Sequence, residues 1–523
     1  MDNNISFFNI LFTFCLLLMS CTKQNDSGIF NPRIETGVAK VSGNVINLCE
    51  NNEFKVFNLK FESVDVILNK IDEFKVAIND DGSFECEIPV TISPQIVSVL
   101  VNNGITFFTI SITPEQETKL EIICPEEAPI EVKIISGSES FFESPEEAKQ
   151  VSELFSKMAM LGSDKSRTTK DTINLFVQNP NEYIPYFIRN NLNYRLEIMK
   201  EDTILSDKTK AYYLDLFSLF MFKLTFFELS FDEGIIKIYE DIKPEGDTTT
   251  LKITNQPDKT YYSFLKDLNL NNSQYLYNMH YSSLCQEILT NKILNLSPIN
   301  ETPIDEWLKG VKSIMADLVG FDKGQFYDIL IANAYSKQFS DELKPLSEKQ
   351  IQNIKTYYKG GDIEKIILHE NEKIVKIAND KGEAIVNETP QVANEKLLDA
   401  ILSNYKGKAV VVDLWATWCA PCLSAMKKIQ PLKAESKDKD VVFVYITNTS
   451  SPKELWEAKI KAIDGEHYYL NEEQWTHIMN SLKITAIPAY LFYNKTGKLS
   501  FDPVIGYPGE DWMRSLIKNA LSE

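Results

Sequence analysis

The chain has 523 residues, enough for roughly three domains of ordinary size. Its 44% hydrophobic and 24% charged residues exclude wholesale disorder and a polytopic membrane protein. With 54 Lys+Arg against 74 Asp+Glu, the formal charge is −20, which repels phosphate backbones and excludes nucleic acid as the expected partner.

Residues 10–19 read ILFTFCLLLM, an apolar run too short to span a bilayer but suited to a signal-peptide core. The run leads into Leu18-Met19-Ser20-Cys21, which resembles a bacterial lipobox. That resemblance implies a signal peptide over residues 1–20, cleavage before Cys21 and acylation of Cys21. Several acyl chains on one cysteine would hold the protein stably on a membrane. The first residues, MDNN, carry no positive charge, so a plain signal peptide or a buried hydrophobic start are the alternatives. Residues 21–35 are polar and read as a lipidated tether.

Residues 36–136 read as a β-sandwich domain. Short alternating or β-branched runs occur at 38–48, 55–61, 65–68, 74–78, 84–88, 96–101, 106–112 and 119–123. Turn signals such as Asn79-Asp80-Asp81-Gly82 and Asn102-Asn103-Gly104 separate them. Cys49, Cys86 and Cys124 lie at or near these runs, and spacing leaves open whether any two of them pair.

Residues 137–375 read as a mostly α-helical domain. Ser144-Pro145-Glu146-Glu147 has the form of a capping residue, a proline at the first helical position and acids in the first turn. Capping residues also precede apolar-periodic runs at Ser206-Asp207 and Ser347-Glu348. Residues 214–231 form a very apolar stretch. Asp215, Lys223 and Glu228 within it favour a buried core helix over a membrane span. No catalytic motif stands out here, and Cys285 with His280 has no metal-ligand spacing.

Residues 376–523 alternate strand and helix. Strands are expected at 410–414, 441–446, 489–493 and 499–504. The last two should form a hairpin across Asn494-Lys495-Thr496-Gly497. Helices are expected after Cys422 and at 452–462, 472–482 and 511–521.

The chemistry is concentrated in Trp418-Cys419-Ala420-Pro421-Cys422. Two cysteines three apart, at the start of a helix that follows a buried strand, suit reversible disulfide exchange. At the helix N-terminus, unpaired N–H groups and the helix dipole stabilise a Cys419 thiolate. Cys422, one turn inside, is the resolving thiol that displaces a mixed disulfide.

The segment Val411-Val412-Asp413-Leu414-Trp415-Ala416-Thr417-Trp418-Cys419-Ala420-Pro421-Cys422 resembles the thioredoxin active-site segment. Ile484-Thr485-Ala486-Ile487-Pro488-Ala489-Tyr490 resembles the cis-proline loop of the same family, with Pro488 66 residues after Cys422. Taken together, the chain resembles the TlpA/ResA-like thiol-disulfide oxidoreductases, in particular the Bacteroidetes-type lipoproteins with an N-terminal β domain and a helical middle. The resemblance implies a thioredoxin-like α/β fold for the C-terminal domain. It implies a cis peptide bond before Pro488, with Ile487 offering backbone groups to a substrate strand. It also implies Trp418 beside the nucleophile and a buried Asp413 that accepts the proton of Cys422. Three features depart from thioredoxin. The dipeptide between the cysteines is Ala-Pro, the helix proline is Pro431, and residues 441–451 supply no lysine to pair with Asp413.

The expected function is that of a lipid-anchored periplasmic thiol-disulfide oxidoreductase, leaning towards a reductant. Its partners would be disulfide-containing protein substrates and a membrane thiol electron donor. No cofactor is expected. Position 423 is Leu, which removes the histidine that haem attachment needs, and no second close cysteine pair completes a zinc site. Two rival readings are an envelope binding or scaffold lipoprotein with secondary redox chemistry, and an oxidase or isomerase.

Overall fold

The computed structural model describes residues 32–46, 59–101, 106–124, 130–138, 193–223, 258–342, 344–379, 384–436, 439–461 and 463–522, with scattered positions in 146–157 and 236–252. The expected signal peptide, Cys21, most of the tether, Cys49, the Ser144-Pro145 cap and residues 224–231 lie outside the described residues. No described helix is long and apolar enough to cross a membrane. The chain divides into two compact units, Met1–Ser336 with Glu348–Leu368, and Lys337–Ser347 with His369–Glu523.

In the first unit, eight strands form two four-stranded sheets. One runs β4 (Ser83–Ser93), β1 (Arg33–Ile46), β7 (Glu117–Ile123), β8 (Glu131–Ser136). The other runs β3 (Lys70–Val76), β2 (Leu59–Asp65), β5 (Gln95–Val101), β6 (Thr106–Ile112). Alternate residues of both sheets, among them Val41, Phe61, Ile88, Val97, Val99 and Ile122, share one core, so the domain is a sandwich. Gly82 closes the β3–β4 turn at φ 82°, its N–H donating to Asn79 O at 2.9 Å.

One expected strand is a turn. At 65–68, Asp65 Oδ1 accepts the N–H groups of Ile67 and Leu68 at 2.9 and 3.1 Å, which bends the chain. Val66, Ile67 and Leu68 are apolar because this turn is buried in the unit. Asn333 Nδ2 donates to the carbonyls of Val66 and Ile67, and Ser336 Oγ to that of Leu68. Cys86 and Cys285 are free thiols. Burial pushes the Cys285 thiol well up, which makes it inert. Cys124 lies in the sandwich core.

The helices of this unit include α1 (Asn193–Lys200), α2 (Asp207–Lys223), α3 (Met279–Thr290), α4 (Ile304–Val319), α5 (Gln325–Lys337) and α6 (Glu348–Tyr358). Ser206 caps α2 as its sequence suggests, Oγ accepting from Thr209 N at 3.2 Å. Helix α7 (Asp362–Asn379) carries the chain into the second unit.

The second unit is built on a six-stranded sheet of order β14-β13-β10-β11-β12-β9. Its strands are β9 (Ala384–Val386), β10 (Ala409–Leu414), β11 (Val441–Asn448), β12 (Gly465–Leu470), β13 (Ala489–Tyr493) and β14 (Val504–Ile505). β10 pairs parallel with β11 and antiparallel with β13. Every residue of β10 is buried, because both faces are covered. Helices α8 (Asn394–Leu402) and α11 (Glu472–Ser481) pack on the face of Val410, Val412 and Leu414. Helices α9 (Ala420–Ser436) and α12 (Glu510–Ser522) pack on the face of Val411. Helix α10 (Lys453–Ile460) follows β11.

The expected strand at 499–504 shrinks to a bridge between Leu499 and Tyr493 and the two-residue β14. Pro503 has no N–H to donate to a ladder, so pairing resumes only beyond it. The turn before it forms as expected, with Gly497 N donating to Asn494 O at 2.9 Å.

Helix α11 opens with a reciprocal cap. Asn471 Oδ1 accepts from Gln474 N at 2.8 Å and Gln474 Oε1 accepts from Asn471 N at 3.0 Å. Asn471→Ala is expected to cost about 1 kcal/mol, measured as a lowered denaturant midpoint with an unchanged m-value.

Candidate active site

Buried β10 ends at Leu414, and the chain turns through Trp415–Trp418 into α9, which begins at Ala420. Cys419 therefore occupies the cap position of that helix. Its Sγ accepts the N–H of Cys422 at 3.2 Å, where a serine or aspartate oxygen stands in an ordinary cap. The same N–H and the helix dipole favour negative charge on this sulfur. The two cysteines form a disulfide with Cα atoms 5.3 Å apart. Cys419 is 3% exposed and Cys422 is fully buried, so a reagent reaches Cys419 first. The pair sits in a cluster with Trp415, Leu423, Met426, Tyr445 and Trp456.

Of the other expected residues, Ile487 packs against this cluster. The Ile487–Pro488 bond is cis. Pro488 is buried, while Ile487 is half-buried. Pro488 O accepts Gly506 N–H at 2.8 Å, which ties the loop to the end of β14. Trp418 is 63% exposed and donates through Nε1 to Ser450 Oγ at 3.1 Å.

Asp413 lies on β10 facing α9, on the same face as Val411. Its register partners are Tyr445 on β11 and Tyr490 on β13. It is 3% exposed, and neither carboxylate oxygen has a hydrogen-bond partner among the described residues. Burial pushes its pKa up to about 8, and the nearby Lys433 partly opposes the rise.

Lys433 is the residue the sequence reading missed. Residues 441–451 supply no lysine, and the lysine near Asp413 comes from α9 itself. Lys433 lies eleven residues after Cys422, close to three whole turns at about 3.6 residues each, which puts both on one helix face. That periodicity is the signal that could have found it. The Lys433 side chain is 8% exposed. It donates to Tyr445 Oη at 3.2 Å and to the Asp464 carbonyl, and its Nζ lies over the Phe443 and Tyr445 rings, 5.4 and 5.1 Å from their centroids. Burial pulls its pKa down to about 8, against the fields of Asp464 and Asp413.

His467, on β12, stacks on Tyr445 with ring centroids 5.1 Å apart, and its Nε2 bonds the Ile463 carbonyl at 2.7 Å. Burial pulls its pKa down to about 4. It is therefore a neutral packing residue. Among the described residues no group of three or more His, Cys, Asp or Glu side chains could hold a metal ion.

A family model described as Thioredoxin-like matches residues 407–499. ResA, a thiol-disulfide oxidoreductase of Oceanobacillus iheyensis, is 46% identical over 46 residues, 9% of this chain and 24% of that protein. ResA of Geobacillus kaustophilus is 28% identical over 98 residues, 19% of this chain and 55% of that protein. The chain thus spans from a quarter to about half the length of these relatives. Among solved structures, StoA from Bacillus subtilis is similar at 20% identity over 21% of this chain and 83% of that one, with a TM-score of 0.19. Together with the cysteine pair at a helix N-terminus, the match identifies residues 407–499 as a thioredoxin-like domain, similar to the ResA-type thiol-disulfide oxidoreductases.

Proposed function

We propose that the chain reduces disulfides of proteins outside the cytoplasm, held to a membrane by lipid on Cys21. The observation that carries the redox part is the Cys419–Cys422 pair at the start of α9, packed beside the cis Ile487–Pro488 bond.

The cycle starts from the dithiol. The Cys419 thiolate attacks one sulfur of a substrate disulfide, forms a mixed disulfide and expels the other substrate sulfur as a thiolate, which takes up a proton. Cys422 gives its proton to the ionised form of Asp413 and attacks Cys419 Sγ. The second substrate thiol leaves, and the Cys419–Cys422 disulfide remains. Two electrons have passed from the dithiol to the substrate. A membrane thiol carrier then returns the pair to the dithiol. Exposed Trp418 and half-buried Ile487 form the surface a substrate meets, and buried Pro488 shapes the loop behind Ile487.

The anchor rests on the apolar run before Cys21. Both parts are tested in the native envelope by acid quenching and thiol alkylation, with membrane and soluble fractions kept separate. A reductant is recovered mainly as the Cys419–Cys422 dithiol in the membrane fraction, and Cys21→Ser moves it to the soluble fraction. Recovery mainly as the disulfide would favour an oxidase.

A further inference from the structure

Among the described residues Trp418 is the most exposed large apolar side chain, at 63%, yet the turn after β11 holds both its backbone and its ring. The N–H of Thr417 donates to Ser451 Oγ at 2.9 Å, and fully buried Ser451 shares a 2.8 Å hydrogen bond with Thr447 Oγ1. On the other side, Cys419 N–H donates to Ala416 O at 3.0 Å. The main chain on both sides of Trp418 is thus fixed, and only the two torsions of the indole side chain remain.

Those torsions are held by a directed string of donors. The indole N–H donates to Ser450 Oγ at 3.1 Å, Ser450 O–H to Asn448 Oδ1 at 2.7 Å, and Asn448 Nδ2 to Glu472 Oε2 at 2.7 Å. Thr449 Oγ1 donates to the same carboxylate oxygen at 3.3 Å. Glu472 is the first residue of α11, where the helix dipole favours its charge. Each bond in such a chain polarises the next. An exposed ring held this way has already lost the freedom that a partner would otherwise have to take from it on binding.

We propose that Ser450 is a positioning residue that fixes the Trp418 indole as a docking platform for polypeptide disulfides beside Cys419. The proposal rests on the disulfide-exchange reading above. It separates large substrates, which bury the ring, from small disulfides, which reach Cys419 Sγ without it.

The test uses the full-length protein, reduced and then freed of reductant. It is mixed with excess insulin or hydroxyethyl disulfide, and formation of the Cys419–Cys422 disulfide is followed against substrate concentration. Ser450→Ala is expected to raise the half-saturating insulin concentration about three- to tenfold, the range for one lost hydrogen bond. The limiting rate and the hydroxyethyl disulfide rate stay at the wild-type value. Ser450→Thr, which keeps the hydroxyl, restores insulin binding, and Ser450→Ala adds nothing in a Trp418→Ala background. An unchanged insulin half-saturation, a loss shared with the small disulfide, or full additivity with Trp418→Ala overturns the proposal. If the wild-type chain is oxidised by neither disulfide, the exchange reading itself has failed. If the small disulfide reacts normally and insulin binding ignores Ser450, only the platform has failed.

Discussion

Cys419→Ser is expected to lower the rate of disulfide reduction by the full chain by about 10³-fold or more, because the attacking sulfur is gone and no other described cysteine can replace it. Cys422 is fully buried, Cys285 is fully buried with its thiol pushed well up, Cys124 is buried in the sandwich core, and Cys86 sits in the sandwich with its thiol also raised by burial. Cys422→Ser has a different expected outcome. The first attack survives, because the Cys422 backbone N–H that faces Cys419 Sγ at 3.2 Å belongs to the main chain. Without a resolving thiol the reaction stalls as a mixed disulfide, detectable as a covalent adduct with insulin on a non-reducing gel. Equal, small losses in both variants would remove the assigned roles.

Asp413→Asn is expected to make the second unit more stable and the proposed resolving step slower. In the folded chain Asp413 keeps its proton up to about pH 8, whereas the unfolded chain releases it near the ordinary 3.8. The folded state therefore binds more protons between these values, and stability falls as pH rises from about 4 towards 8. Asparagine cannot ionise, so the variant's advantage grows through this window. It reaches on the order of 3 kcal/mol at pH 7, below the ceiling of about 4 kcal/mol that about 1.4 kcal/mol per pH unit sets between the unfolded value and pH 7. Urea unfolding at pH 5 and pH 7 reads the difference. The kinetic effect has the opposite sign. Asp413 accepts a proton only when ionised, so the wild-type resolving step should speed up as pH rises towards about 8. Asp413→Asn should flatten that rise and slow resolution by on the order of 10²-fold, the low end for a lost acid–base group. Lys433→Met should move the wild-type rise to higher pH, since the ammonium is the charge that opposes the upward shift of Asp413.

The candidate site was legible in the sequence because its residues are local. A buried apolar strand, a cysteine pair and a helix start lie within 410–422, and the proline loop at 484–490 has its own pattern. Periodicity along α9 puts Lys433 on the face of Cys422, but its burial was not legible, because its partners Tyr445 and Asp464 come from distant segments. The string from Trp418 to Glu472 was likewise invisible, since hydrogen-bonded serines in a turn carry no pattern of their own. Three elements of the second unit escaped for reasons of composition. β9 is three residues long, β12 begins Gly-Glu-His, and α8 has no side-chain cap. At 65–68 an apolar run has the pattern of a strand but forms a turn. Burial of a turn by packing leaves the same hydrophobic signature as burial of a sheet, and only the Asp65 carboxylate, with its two accepted N–H groups, marks the difference.

The most direct measurement is the reduction potential of the Cys419–Cys422 pair in the full-length chain, by equilibration with dithiothreitol buffers and with Cys419→Ser as control. The account predicts one reversible two-electron transition at or below about −250 mV, near the thioredoxin end of the scale at about −270 mV. A potential above about −180 mV would contradict the assignment as a reductant. The absence of any reversible transition would contradict disulfide exchange itself.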